Sequence, residues 1–290
     1  MPERLGLIAG WGHYPVCIAR KLQQSGHEVC CVGVLNHANE QALLPYCHQY
    51  QRLGMAKLGR QAKFFRRCGV TRATMAGKIF KTALFEKMAW VRHMPDLAFM
   101  KHFYRQLISR TEDCNDDAML LTAIRLFNTY GIDFVPATDF APELLVKPGN
   151  LTNHKLTKAN YADIEFGWKL AKDMGGLDVG QSVVVKRSAV LAVEAVEGTD
   201  ECIRRAGQLC PAGGFTVVKV AKPNQDMRFD VPTVGLGTLE TIHAAGGSVL
   251  AIEAHKTIIL EQQEMVEFAS KHGIAIVALE SKASHIYRAA

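Results

Sequence analysis

The stretch Leu5-Gly-Leu-Ile-Ala-Gly10-Trp-Gly12-His-Tyr-Pro15 decides the fold. A short apolar run that stops in glycines reads as a buried strand. The proline that follows suits the first turn of a helix, where its missing N–H costs nothing. Working outward, the helix extends from Pro15 to Ser25 and a second strand covers Val29 to Leu35. A further strand is predicted at Arg72 to Ala76, with a basic helix around 56–68 between them. Helical patterns near 96–110 and 116–130 lead to Ile132-Asp-Phe-Val-Pro136, a strand stopped by proline. Strands alternating with helices imply an α/β fold whose parallel sheet is covered on both faces.

The turn-rich Lys147-Pro-Gly-Asn-Leu-Thr-Asn153 interrupts this alternation and marks a boundary. It divides the chain into an N-terminal α/β domain (1–148), Rossmann-like with a glycine loop after its first strand, and a C-terminal α/β domain (149–290). In the second half a helix is predicted from Ala159 to Met174, ended by Gly175-Gly176. Ser182–Lys186 and Ala189–Glu194 read as a hairpin turning at Arg187-Ser188. Thr199 is expected to cap a helix reaching Leu209, before a strand at Phe215–Val220. A tail of helix 237–245, strand Ser248–Ile252, helix 261–272 and strand Ile274–Leu279 closes the chain.

With 48% hydrophobic and 21% charged residues among 290, the chain can bury a core, and disorder is excluded as its main state. No apolar run reaches the length of a membrane span, and no secretory signal is expected at the N-terminus. The eight cysteines (17, 30, 31, 47, 68, 114, 202 and 210) include no C-x-x-C pair, so reduced thiols are expected rather than a zinc ribbon or redox couple. Charge is uneven. Between Arg52 and Arg110 fourteen lysines and arginines face only Glu86 and Asp96, a net of +12 in a chain of +6, which leaves −6 for the rest. Phe64, Phe65, Phe80, Phe85, Trp90, Phe99, Phe103 and Tyr104 interleave with these cations. Such a stretch suits phosphates or an anionic membrane surface. It equally suits a solvated helix face, with Lys57, Arg60, Lys63 and Arg67 on one stripe. Nucleic acid is not expected, because no zinc-finger, helix-turn-helix or RNA-binding signature accompanies the charge.

Two regions carry candidate chemistry. Glycines at 6, 10 and 12 let backbone approach a phosphate at a helix N-terminus, or simply make a tight turn. A dinucleotide fingerprint would need glycine where Pro15 stands and an acid where Leu35-Asn36 closes the second strand, so NAD is disfavoured. In Lys222-Pro-Asn-Gln-Asp-Met-Arg-Phe-Asp-Val-Pro-Thr-Val-Gly235, an extended chain would put Asp226, Arg228 and Asp230 on one face. Two carboxylates around an arginine can hold a hard divalent cation and a phosphate, or form a surface ion-pair ladder. Glu194-Ala-Val-Glu-Gly198-Thr-Asp200 is a strand-end anion site or a helix start, and spacing favours the capping role. Serine-hydrolase and H-E-x-x-H motifs are missing, and the eleven histidines are scattered.

Taken in order, several segments resemble the LpxI family of UDP-2,3-diacylglucosamine pyrophosphatases of lipid A biosynthesis. They are Leu5 to Gly12, Met75-Ala-Gly-Lys78, Asn115-Asp-Asp-Ala118, Leu177-Asp-Val-Gly-Gln181, Val190 to Asp200, and Lys222-Pro through Asp230-Val-Pro-Thr-Val-Gly235. The resemblance implies a Mg²⁺-dependent (or Mn²⁺-dependent) hydrolysis in which water attacks the sugar-side phosphorus, giving UMP and 2,3-diacylglucosamine 1-phosphate. It assigns catalysis to Asp230; the paired carboxylates themselves suggest Asp226 in support, with both as metal ligands. It points to substrate contacts at Gly10, Trp11, Gly12, Ala76, Gly77, Lys78, Thr138, Glu194, Gly198, Thr199, Asp200, Lys219 and Thr233, while Lys222 and Arg228 are expected from their charge to clamp phosphates. The resemblance further implies a homodimer in the cytoplasm, peripheral to the inner membrane. Trp11 stands where the family carries glycine, and Ile-Phe-Lys follows Lys78 in place of valine and R-P. The other reading is a non-catalytic nucleotide-sugar or lipid-binding protein of the same fold.

Overall fold

The computed structural model describes residues 3–79, 95–107, 116–223, 225–228 and 231–281. Internal packing divides the chain into two compact units, Met1–Pro142 with Asp226–Phe229, and Glu143–Gln225 with Asp230–Ala290.

In the first unit β1 (Arg4–Ala9), β2 (Glu28–Val34), β3 (Gln49–Leu53), β4 (Arg72–Ala76) and β5 (Asp133–Phe134) form one sheet in the order β3-β2-β1-β4-β5. Every pairing is parallel. This is the doubly wound arrangement expected when each strand returns through a helix. Among the described residues the helices are α1 (Tyr14–Gln24), α2 (Glu40–Leu43), α3 (Leu58–Arg67), α4 (Leu97–Leu107) and α5 (Asp116–Asn128). Phe65 of α3 and Phe127 of α5 pack with Cys30, Val32 and Phe134 of the sheet, the rings of Phe127 and Phe134 meeting edge-on at 4.9 Å. On α3, Ala62, Phe64 and Phe65 are buried while Arg60, Lys63, Arg66 and Arg67 are exposed. There the basic stripe is the solvated side of an amphipathic helix. Of the remaining cationic and aromatic residues, those at 80–94 and 108–110 lie outside the described residues.

The second unit contains β6 (Gly149–Asn150), β7 (Ser182–Lys186), β8 (Ala189–Val193), β9 (Thr216–Lys219), β10 (Thr233–Val234), β11 (Val249–Glu253), β12 (Ile258–Ile259) and β13 (Ala275–Leu279). Its main sheet runs β6-β13-β11-β9-β7-β8, with β9, β11 and β13 parallel and the β7–β8 hairpin antiparallel. Alternation along the strands feeds two cores. Val217, Leu250, Ile252 and Ile276 meet one set of helices, α7 (Thr199–Leu209), α8 (Leu236–Ala244) and α9 (Gln262–Lys271). Val218, Val249, Ala251 and Val277 meet Ile164, Trp168 and Ala171 of α6 (Lys158–Gly176) on the other face. Thr157 and Asn160 start α6 with reciprocal side-chain-to-backbone bonds of 3.1 and 3.0 Å. The hairpin turns at Arg187 and Ser188, both left-handed at φ 53° and 56°.

Three local expectations are corrected. Gly175 and Gly176 lie inside the last turn of α6, and the left-handed residue that ends it is Asp178 at φ 56°. Thr199 does not cap α7: Gly198 is the N-cap at φ 85° and Thr199 is the first helical residue. Within the turn-rich 147–153 stretch, Gly149–Asn150 pairs antiparallel with β13 as an edge strand.

Candidate active site

In the first unit the sequence-selected residues collect where β1, β4 and β5 end. Gly10-Trp11-Gly12 follows β1, Ala76-Gly77-Lys78 ends and follows β4, and Thr138 sits buried in a short turn after β5. In doubly wound sheets this carboxyl edge is where ligands bind. The two loops are zipped together: Gly10 N–H donates to Ala76 C=O at 2.8 Å, Trp11 N–H to Lys78 C=O at 2.8 Å, and Lys78 N–H to Trp11 C=O at 3.0 Å. Glycine is required at two points. A Cβ on Gly10 would lie 2.6 Å from the Lys78 carbonyl oxygen, and one on Gly77 (φ 91°) would lie 2.7 Å from both Pro15 Cγ and Trp11 O. The amides of Gly10 and Trp11 are thus spent on the neighbouring loop, not aimed outward. Gly12, at φ 104°, then turns the chain into α1, with the Trp11 side chain half exposed beside it.

In the second unit a buried polar chain joins residues that the sequence could only suggest singly. Lys219, at the end of β9, donates to Thr199 Oγ1 and to the Thr233 carbonyl, both at 3.1 Å. Thr199 Oγ1 donates to Glu194 Oε1 at 2.9 Å. Lys219, Thr199 and Glu194 are all buried. The capping role expected of Thr199 gives way because its hydroxyl has a carboxylate partner five residues back, which its own helix cannot match. Ser182, which sequence reasoning missed, adds its hydroxyl 3.4 Å from that of Thr199. Asp200 lies in the first turn of α7, where the dipole favours an acid.

The segment after β9 is held at both ends. Lys222 Nζ meets Asp178 Oδ1 at 2.5 Å, while Pro232 C=O accepts the Ile258 N–H at 2.7 Å and β10 pairs with β12. Asp226 and Arg228 come together by a tight turn, not by the extended strand expected. The Arg228 N–H donates to Asp226 Oδ1 at 3.0 Å, and its guanidinium grips the same carboxylate through Nε at 2.9 Å and Nη2 at 2.6 Å. This fork holds the Asp226 carboxyl below its usual range. Asp230 lies outside the described residues. Among the described residues no three His, Cys, Asp or Glu side chains converge as a metal cage. Asp226 is ionised and offers hard oxygens, so it fits a cation such as Mg²⁺, but only by sharing a carboxylate that Arg228 already occupies.

Residues 4–144 match the LpxI N-terminal domain and residues 147–277 the LpxI C-terminal domain. The chain belongs to the LpxI family. It is 27% identical over 287 residues to the UDP-2,3-diacylglucosamine pyrophosphatase LpxI of Caulobacter vibrioides, covering 96% of this chain and 98% of that relative. The end-to-end resemblance drawn from the glycine loop, the E-G-T-D turn and the P-T-V-G segment is borne out by this coverage of both family domains.

Proposed function

We propose that the chain hydrolyses UDP-2,3-diacylglucosamine to UMP and 2,3-diacylglucosamine 1-phosphate in lipid A biosynthesis. The observation that carries the reading is the match of both halves to the two LpxI domains, together with a relative of that activity aligned along nearly the whole chain. The chemistry that Mg²⁺ (or Mn²⁺) supplies when bound is charge neutralisation on pyrophosphate oxygens and a lowered pKa for a coordinated water. Asp230 is assigned as the principal ligand and water-orienting base, with Asp226 in support because Arg228 already holds its oxygens. Water adds to the sugar-side phosphorus, the bridging P–O bond breaks, and UMP leaves with the electron pair. Lys222 and Arg228 are assigned to the phosphates, and binding then trades the carboxylates of Asp178 and Asp226 for phosphoryl oxygens.

Hydrolysis in heavy-oxygen water, with Mg²⁺ and with EDTA, tests this reading. UMP release only with metal, and label found in the lipid phosphate alone, is the expected result. Turnover that survives EDTA would remove the metal, and label in UMP would move the attack to the other phosphorus. Tight binding without turnover would favour the non-catalytic nucleotide-sugar protein.

The lipid product also calls for a membrane surface, and no described helix is long and apolar enough to cross one. Helix α4 leaves Leu97 90%, Met100 38% and Tyr104 54% exposed on one face, with Lys101 exposed beside them. We assign this stripe to peripheral docking on the anionic inner face of the cytoplasmic membrane, by a protein that assembles as a homodimer of 32.0 kDa chains. Co-sedimentation with phosphatidylglycerol vesicles is expected, weakened by salt and lost in a Leu97→Glu/Tyr104→Glu variant. Equal binding of that variant would dismiss the stripe, and a monomer mass by light scattering would dismiss the dimer.

A further inference from the structure

Glu253 ends β11, closing the otherwise apolar run Val249-Leu-Ala-Ile-Glu253 with a carboxylate that is 1% exposed. Its Oε2 accepts Lys172 Nζ at 2.6 Å and the Ala221 N–H at 2.8 Å, and Lys172 Nζ also donates to the Ala221 carbonyl at 2.8 Å. One ion pair therefore holds both the N–H and the C=O of a single buried residue. Ala221 lies beyond Lys219, the last residue of β9, at the point where the chain leaves the sheet. Glu253 Oε1 is buried without a hydrogen bond, with Lys256 Nζ 3.5 Å away.

The next residues extend this anchorage. The Lys222 N–H donates to Gln225 Oε1 at 2.7 Å, and the Gln225 N–H returns to the Lys222 carbonyl at 3.2 Å. Below them the last turn of α6, which also carries Lys172, comes so close that a Cβ on Gly175 would lie 3.2 Å from Lys222 Cα. A buried ion pair is a poor source of net stability, because desolvation offsets most of its attraction and an apolar pair of equal volume does as well. What it supplies that an apolar pair cannot is a fixed direction for the peptide it grips. The peptide it grips leads directly into Lys222.

We propose that Lys172 and Glu253 are positioning residues, which set the direction of the chain at Ala221 and thereby the placement of Lys222. The proposal rests on the hydrolase reading above for its kinetic consequence, and on geometry alone for its structural one. Glu253→Gln keeps an oxygen for the Ala221 N–H but removes the charge that holds Lys172. Lys172→Met removes the donor to both partners, whereas Lys172→Arg keeps charge and donors.

Hydrogen exchange over 220–223 and steady-state kinetics are measured together on the intact protein. Glu253→Gln and Lys172→Met are expected to raise exchange there and to raise KM about tenfold, the effect of a weakened substrate contact. The kcat should stay within about threefold, because the groups assigned to the chemistry are untouched. Lys172→Arg should keep wild-type KM. Unchanged exchange overturns the proposal, as does raised exchange with unchanged KM. An equal rise in KM in Lys172→Arg and Lys172→Met overturns it too, since bulk and not charge would then matter. If Glu253→Gln does not fold, the Lys172 pair alone decides. Should the wild type fail to turn over, the hydrolase reading falls while the exchange result still decides whether the ion pair orders this segment.

Discussion

Asp230→Asn is expected to lower kcat by about three orders of magnitude, within the range for losing a positioned acid–base group. The substitution keeps size and shape and removes one negative charge, so the change isolates the carboxylate. Binding should survive. The substrate is itself anionic, and removing a negative charge beside its pyrophosphate relieves repulsion, so the dissociation constant should stay equal or tighten. Calorimetric titration with substrate and single-turnover hydrolysis separate the two effects. A kcat within tenfold of wild type would end the assignment, as would a lost affinity with chemistry intact. Asp226→Asn is the informative control. It frees Arg228 from its fork and should act more on KM than on kcat. The pH dependence separates them further. Asp226 titrates below its ordinary value of 3.8 because Arg228 bonds its charged form. Its ionised form is therefore retained above that value, and its ion pair is lost only as pH falls through the depressed pKa. An acid limb of activity above about pH 4 belongs to another group.

Much of the architecture was legible because burial and chain punctuation coincide. Leu5–Ala9, Val29–Val34 and Ala275–Leu279 are apolar runs bounded by glycine or polar turns, and each is a strand with both faces covered. Gln49-Tyr-Gln-Arg-Leu53 escaped because it is the edge strand β3, with mostly polar, half-exposed side chains and no apolar run to announce it. The two-residue pair β10 and β12 escaped for a different reason: its partners lie far apart in sequence, at Thr233 and Ile258, and only tertiary structure brings them into register. Gly175-Gly176 misled because glycine there serves close approach to Lys222 and not a left-handed turn.

The site was legible as residue types but not as partnerships. Asp226 and Arg228 do meet, yet an alternating strand was the wrong geometry. The Asp226 carboxylate captures the amide two residues on, a local bond that competes with extension. Thr199 looked like a cap because Ser and Thr usually cap; a buried carboxylate at Glu194 redirected it. Lys172 and Glu253 are 81 residues apart, so no local pattern joins them. The one sequence signal was Glu253 itself, an acid ending an apolar strand, where a buried charge needs a partner.

Lys219→Met should produce the largest loss of stability among the site residues. The ammonium is buried and donates to Thr199 Oγ1 and the Thr233 carbonyl. Through Thr199 it is linked to the buried carboxylate of Glu194. Removing it strands a negative charge and two acceptors in a dry setting, which costs about 3–5 kcal/mol when one member of a buried charged set is deleted. It also unfastens Thr233 and so loosens the end of the segment that carries Asp230. Chemical denaturation should therefore show a reduced midpoint with an unchanged slope. Lys219→Met/Glu194→Gln should recover part of the loss, because the amide needs no counter-charge, and the coupling between the two sites should exceed about 1 kcal/mol. A strictly additive double variant would mean that the two charges do not sense each other through Thr199. A single variant as stable as wild type would mean that the Lys219 ammonium is solvated and free of the chain described here. The same double variant separates anchoring from catalysis: if stability returns and hydrolysis does not, Lys219 meets the substrate as well as Thr233.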